Sequence, residues 1–71
     1  MQTYQIISFK DEILAARLIS QGIYPGKILK IIRKGLFGGA YYVEVDHCHY
    51  ALREHEIQMM ELRIVKDGIK E

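Results

Sequence analysis

Cysteine is almost missing from this chain: Cys48 is the single one among 71 residues. No intrachain disulfide can form, and a lone thiol fits a reducing compartment better than secretion. An excess of one charge is missing as well, with ten Lys and Arg against nine Asp and Glu. Nonspecific nucleic-acid binding draws on clustered Lys and Arg that displace counterions. The sequence displays no such run, so no nucleic-acid partner is expected. No apolar stretch approaches the roughly 20 residues that cross a bilayer, which excludes direct membrane insertion through a helix. The opening segment MQTYQIISFKDE lacks a basic region followed by a long apolar run, so no signal peptide is expected. Internal repeats, low-complexity tracts and linkers are absent too. A cytoplasmic protein is the expectation.

What is present is ordinary for a globular domain. Apolar residues make up 49% of the chain and charged ones 27%, too apolar for disorder. Seventy-one residues predict one domain over 1–71, with a polar, frayed tail at 66–71. A domain of this size buries only about 60% of its unfolded surface, so its stability margin is thin.

Period and punctuation divide the chain into elements. Thr3 to Phe9 is rich in β-branched and aromatic residues and predicts a strand. Ser8, with Asp11 three residues on, predicts a shortened capping box at a helix start. Leu14 and Leu18 fall on one helical face, with Ala15 and Ile19 beside it and Ile13 and Ala16 widening the stripe, over about three turns. Gly22 ends the helix, because glycine enters the left-handed C′ conformation without strain. Pro25-Gly26 suits the centre of a type II turn: proline presets the first φ and glycine supplies the positive second one. From Lys27 the period changes to two, with Leu29 and Ile31 on one strand face and Ile28, Lys30 and Ile32 on the other. Residues 35–40 form a loop. Tyr41, Val43 and Val45 alternate with Tyr42 and Glu44, and Asp46-His47 predicts a tight turn into Cys48, Tyr50 and Leu52. Arg53 to Glu56 suits a single helical turn. The last strand places Met60, Leu62 and Ile64 inward. About five short strands and one helix inserted after the first strand predict a mainly β fold, a small partly open barrel.

At this point the residues resemble the FeoA family, small cytoplasmic proteins of bacterial ferrous iron transport. The pattern runs from Arg17-Leu18 through Gly22 and Pro25-Gly26 to Leu29 and Ile31. It continues through Gly38, Val43 and Val45 and closes on Ala51-Leu52-Arg53. The resemblance spans roughly residues 15–65, and its specificity lies in order and spacing. It implies an SH3-like β-barrel and an accessory role beside FeoB, the large membrane GTPase that moves Fe(II). The same module serves as a regulatory or interaction domain in iron-dependent repressors of the DtxR type. Two departures stand out. The Leu36–Ala40 loop lacks the prolines usual in the family. The N-terminal segment also lacks the opening lysine-proline-glycine turn, so the first strand is either formed differently or partly supplied by another copy.

Three features invite a chemical reading. Asp46-His47-Cys48-His49 offers imidazole and thiolate ligands that suit Zn, Fe or Cu. On a strand, however, His47 and His49 share one face while Cys48 points to the other. A solvated turn with a core cysteine is the plainer reading, and a weak or intermolecular transition-metal site the alternative. No other cofactor is expected. Catalysis by Cys48 is disfavoured by its expected inward position, and Gly38-Gly39 precedes a strand rather than the helix N-terminus that cradles phosphate. The third feature is apolar. Ile28 and Ile32, with Leu36, Phe37 and Tyr42, are expected on the outer face, either covered by the inserted helix or exposed as an interface. The partner-binding residues expected are Ile32, Leu36, Phe37, Gly38, Gly39, Tyr41 and Tyr42. Gly22, Pro25 and Gly26 serve backbone geometry. The leading expectation is a non-enzymatic binding module docking on a FeoB-type transporter. The rivals are metal sensing, a regulatory domain related to that of iron-dependent repressors, and a nucleic-acid-binding small barrel. The apolar face also suits self-association into a homo-oligomer, and open strand edges invite strand addition by a partner.

Overall fold

Short runs that favour strands, separated by glycine and proline, fold, among the described residues, into five strands and two helices. The computed structural model describes residues 2–35 and 39–65. In chain order the elements are β1 (Gln2–Phe9), α1 (Glu12–Ser20), β2 (Ile28–Lys34), β3 (Ala40–Val45), β4 (Cys48–Arg53), α2 (Glu54–Gln58) and β5 (Met60–Ile64). All strand pairs are antiparallel, in the order β4-β3-β2-β1-β5. The first strand is therefore central and comes from the chain itself. It pairs with β2 on one side and β5 on the other, without a second copy.

The connection between the two edge strands forces curvature. A flat five-stranded sheet would separate its edges by about 19 Å, four interstrand spacings. Yet only the five-residue α2 links β4 to β5, a helix about 7.5 Å long. The sheet therefore curls, helped by irregularities between Ile6 and Ser8 in β1 and between Ile31 and Arg33 in β2. Such bulges add local twist and bend the strand. The result is the partly open barrel that the strand pattern predicts, in the SH3-like form that the family resemblance implies.

Inside the curl lie Ile6, Leu14, Leu18, Ile23, Leu29, Val43, Val45, Leu52 and Met60. Each strand contributes at period two, and α1 contributes Leu14 and Leu18 one turn apart. Helix α1 begins at Asp11, whose carboxylate accepts the Ile13 N–H at 3.1 Å. The N-cap is not Ser8. That residue continues β1, because its hydroxyl donates to Glu61 on β5 at 3.0 Å and the sheet claims its backbone. The helix ends as expected. Gly22, at φ +95°, donates to Ile19, and Ile23 donates to Leu18, the paired bonds of a Schellman motif. The accompanying apolar contact joins Leu18 and Ile23, both fully buried. Tyr24 accepts from the Lys27 N–H across Pro25-Gly26, with Gly26 at φ +96°, which is the type II turn.

Several expectations need correction. The helical turn at residues 53–56 is a second helix, α2. Cys48 is exposed rather than a core residue. Cover on that side of the sheet ends at Tyr50, whose hydroxyl reaches the Gln21 carbonyl at the end of α1 at 3.0 Å, and Cys48 lies two residues beyond. Ile64 shares the face of Met60 but is 60% exposed, since it ends an edge strand. Ile13 and Ile19 are exposed as well, so the sheet is wide enough to bury only the Leu14–Leu18 stripe of α1. The tail expected at 66–71 lies outside the described residues.

Candidate docking face

The outer face of the sheet is built from cross-strand rows. In one row Lys30 on β2 sits opposite Glu44 on β3, which sits opposite His49 on β4. In the next row Arg33, Tyr42 and Ala51 align in the same way. The bulge in β2 makes this second row possible. Strict alternation would place Arg33 on the face of Leu29 and Ile31, but the register shift between Ile31 and Arg33 turns it outward against Tyr42.

Ile28, Ile32 and Tyr42, three of the apolar residues expected outside, are exposed. Helix α1 does not cover them; it packs against the opposite face, with the core. Tyr41 lies half-buried at the edge of the core. Gly39 is buried at φ +109°, where a side chain would strain the backbone. Leu36, Phe37 and Gly38 lie outside the described residues. Gly35, which enters the loop, donates its N–H to Ala40 at 2.6 Å. A Cβ there would stand 3.0 Å from the Ala40 carbonyl oxygen, so any larger residue requires the Ala40 backbone to give way.

Three cation–aromatic contacts form in the chain, and the one on the outer face is Arg33 with Tyr42. The Arg33 guanidinium lies 5.0 Å from the Tyr42 ring centre, Lys34 5.5 Å from Tyr41, and Lys27 4.8 Å from Tyr24. Sequence reasoning singled out the tyrosines and missed Arg33, Lys34 and Arg53. Arg33 and Lys34 are adjacent in sequence, but Arg53 reaches the same end of the sheet only because the hairpin pairs it with Ala40. No local pattern carries that signal.

The Asp46–His49 hairpin turns tightly, with Asp46 at φ +53° and His47 at φ +67°, the two left-handed residues of a type I′ turn. The Asp46 carboxylate pairs with Lys27. Asp46, with the Tyr24 hydroxyl adding, raises the Lys27 pKa above its usual 10.5. Glu44 lies between the two imidazoles, 3.7 Å from His47 Nδ1 and 3.6 Å from His49 Nε2. Cys48 turns away from them, as alternation predicts, and pairs across the hairpin with Val45. Among the described residues no three His, Cys, Asp or Glu side chains are arranged to hold a metal ion. Near Cys48, the Tyr50 hydroxyl has its pKa raised above 10.0, first by loss of water around it and then by the cysteine side chain.

A second concave surface lies between the helices, where exposed Ile13 and Met59 flank the ion pair of Arg17 with Glu56. Glu56 is buried, and its other oxygen accepts the Arg53 N–H at 2.8 Å. This carboxylate therefore holds α2 in place and is not a free reactive group.

Comparison with known proteins agrees with this architecture. The solution NMR structure of protein PA4359 from Pseudomonas aeruginosa is similar, at 25% identity and a TM-score of 0.73, over 93% of this chain and 92% of that one. No curated protein sequence matches significantly. The sequence model of the FeoA domain matches residues 1–64, from the first strand through the last, and the chain therefore belongs to the FeoA-domain family, which is associated with ferrous iron transport.

Proposed function

We propose that this protein is an accessory component of bacterial ferrous iron transport, a non-enzymatic module that docks on the cytosolic side of a FeoB-type membrane GTPase. Docking engages the glycine loop and the neighbouring strand faces, through Ile32, Tyr41 and Tyr42 with Leu36, Phe37, Gly38 and Gly39 of the loop. The observation that carries this reading is the exposed Ile28, Ile32 and Tyr42 on a sheet face that no helix among the described residues covers. Apolar and tyrosine-bearing surface of this kind favours protein contacts. Its effect on the transporter is a bias between conformations, which needs only differential affinity for the two states.

A pulldown with the cytosolic region of the transporter tests the proposal. Wild-type chain is retained, and Phe37→Asp loses most of that retention while keeping its fold by circular dichroism. Failure of the wild type to bind would overturn the partner, and undiminished binding by Phe37→Asp would overturn the surface. Metal sensing draws less support, since Glu44, His47 and His49 approach one another without forming a ligand set.

A further inference from the structure

We infer that the loop end of the outer sheet face is a receptor for an acidic, extended segment of the docking partner, with Arg33 and Arg53 as its charged anchors and Tyr42 between them. This assignment rests on the docking reading above and specifies the chemistry of what docks.

The two cross-strand rows differ in charge. The Lys30–Glu44–His49 row carries its own acid, and near the hairpin tip Lys27 is matched by Asp46. The row of Arg33, Tyr42 and Ala51 contains no acid, and the next pair outward is Ala40 with Arg53. Among the described residues no ion pair engages Arg33, Lys34 or Arg53, and all three are exposed. Glu54, exposed at the start of α2, is the acid next in sequence, and it leaves the group cationic. The chain as a whole is nearly neutral at +1, so this local excess is a property of one site and not of the molecule.

Geometry narrows the occupant. Arg33 is on β2 and Arg53 on β4, two strands apart, roughly 10 Å across the sheet. Carboxylates two residues apart on an extended segment stand about 7 Å from each other, within reach of both long side chains. The Tyr42 ring holds the Arg33 guanidinium over its face, which presents the planar fork that binds carboxylates in bidentate fashion. An extended segment that crosses β4, β3 and β2 on the outer face passes over Tyr42 and reaches both guanidinium groups. A nucleic acid would also meet cations and an aromatic ring here. It would, however, run along a backbone of continuous negative charge and meet Glu44 in the next row, and the near-neutral chain offers no wider basic track.

The experiment is an amide correlation spectrum of the full chain, titrated with three probes. These are a peptide alternating Glu and Leu, its Gln-for-Glu counterpart, and a single-stranded oligonucleotide of equal charge. The expected result is movement of the amides at 33–34, 41–42 and 51–53 with the Glu peptide and none with the Gln peptide. Binding should weaken as salt rises from about 0.01 M to about 0.1 M and the screening length falls from about 30 Å to about 10 Å. Arg33→Glu with Arg53→Glu should weaken it about tenfold or more, and Arg33→Gln with Arg53→Gln provides a milder variant should the reversal disturb folding. No shift with the Glu peptide, shifts confined to other residues, or tighter binding of the oligonucleotide at these amides would each overturn the assignment. In the transporter pulldown, wild-type binding that survives both double variants sinks the acidic-segment receptor alone. Absence of wild-type pulldown together with intact peptide shifts sinks the choice of partner alone.

Discussion

At the scale of single residues, backbone geometry explains more of this chain than side-chain chemistry does. Gly22, Pro25 and Gly26 were legible because their φ requirements are properties of the residue type. Gly22→Ala would force an L-residue to φ +95° with its Cβ still 4.0 Å from the Tyr50 hydroxyl. The cost is therefore conformational, about 1–2 kcal/mol. In a domain of this size that lowers the melting temperature by about 5–15 °C, to be read in a thermal denaturation scan. His47 is the converse case, a non-glycine at φ +67° in a type I′ turn. His47→Gly is predicted to stabilise by about 0.5–1 kcal/mol, and an unchanged or lower denaturant midpoint would refute that. Cys48 shows the limit of residue-level reading. Alternation gives the face it lies on, but not where the covering helix stops.

Among elements, strand positions followed from period two, whereas the two helices divide. The Leu14–Leu18 stripe announces α1 in the sequence. At five residues α2 is below the length at which a helix holds itself together, so it depends on tertiary contacts. Buried Glu56 supplies them, accepting from Arg53 at the helix start and from Arg17 on α1. Glu56→Ala is expected to cost about 2 kcal/mol, measured by urea denaturation. Glu56→Gln retains an acceptor for the Arg53 N–H and should cost less. A double-mutant cycle with Arg17→Ala should return coupling between the two side chains, and strict additivity would show that their pairing contributes nothing. The shift of the helix start from Ser8 to Asp11 has the same origin. Pairing with β5 competes for Ser8, and Asp11 is the first free cap beyond it.

For the whole molecule, two of the contacts that tie distant segments respond to alkali. Lys27 pairs with Asp46 and has its pKa raised above 10.5, and Tyr50 bonds to Gln21 with its pKa raised above 10.0. In each case the folded state holds the proton more tightly than the unfolded chain does. Their contributions are therefore complete below pH about 10 and are lost as pH rises through the raised values. Denaturant midpoints should be flat near pH 8–9 and fall above pH about 10. Tyr50→Phe with Lys27→Met should flatten part of that fall; an unaltered profile would show that other groups control it. Docking belongs to this scale as well. Tyr42→Ala should weaken transporter retention with little loss of stability, since the ring is 39% exposed.

The turns, the strand period, the inserted helix and the family resemblance were readable along the chain, because they rest on local φ preferences and on spacing. The sequence also marked the tyrosines and isoleucines of the outer face. That β4 and β5 become edges joined by a short helix, which curls the sheet, emerges only on folding. So do the bulge that turns Arg33 outward and the antiparallel pairing that carries Arg53 to the same end of the sheet as Arg33. Charge clustering across strands depends on register, and register is settled by the burial of the opposite face. The cationic end of the docking face thus appears only when the core has formed.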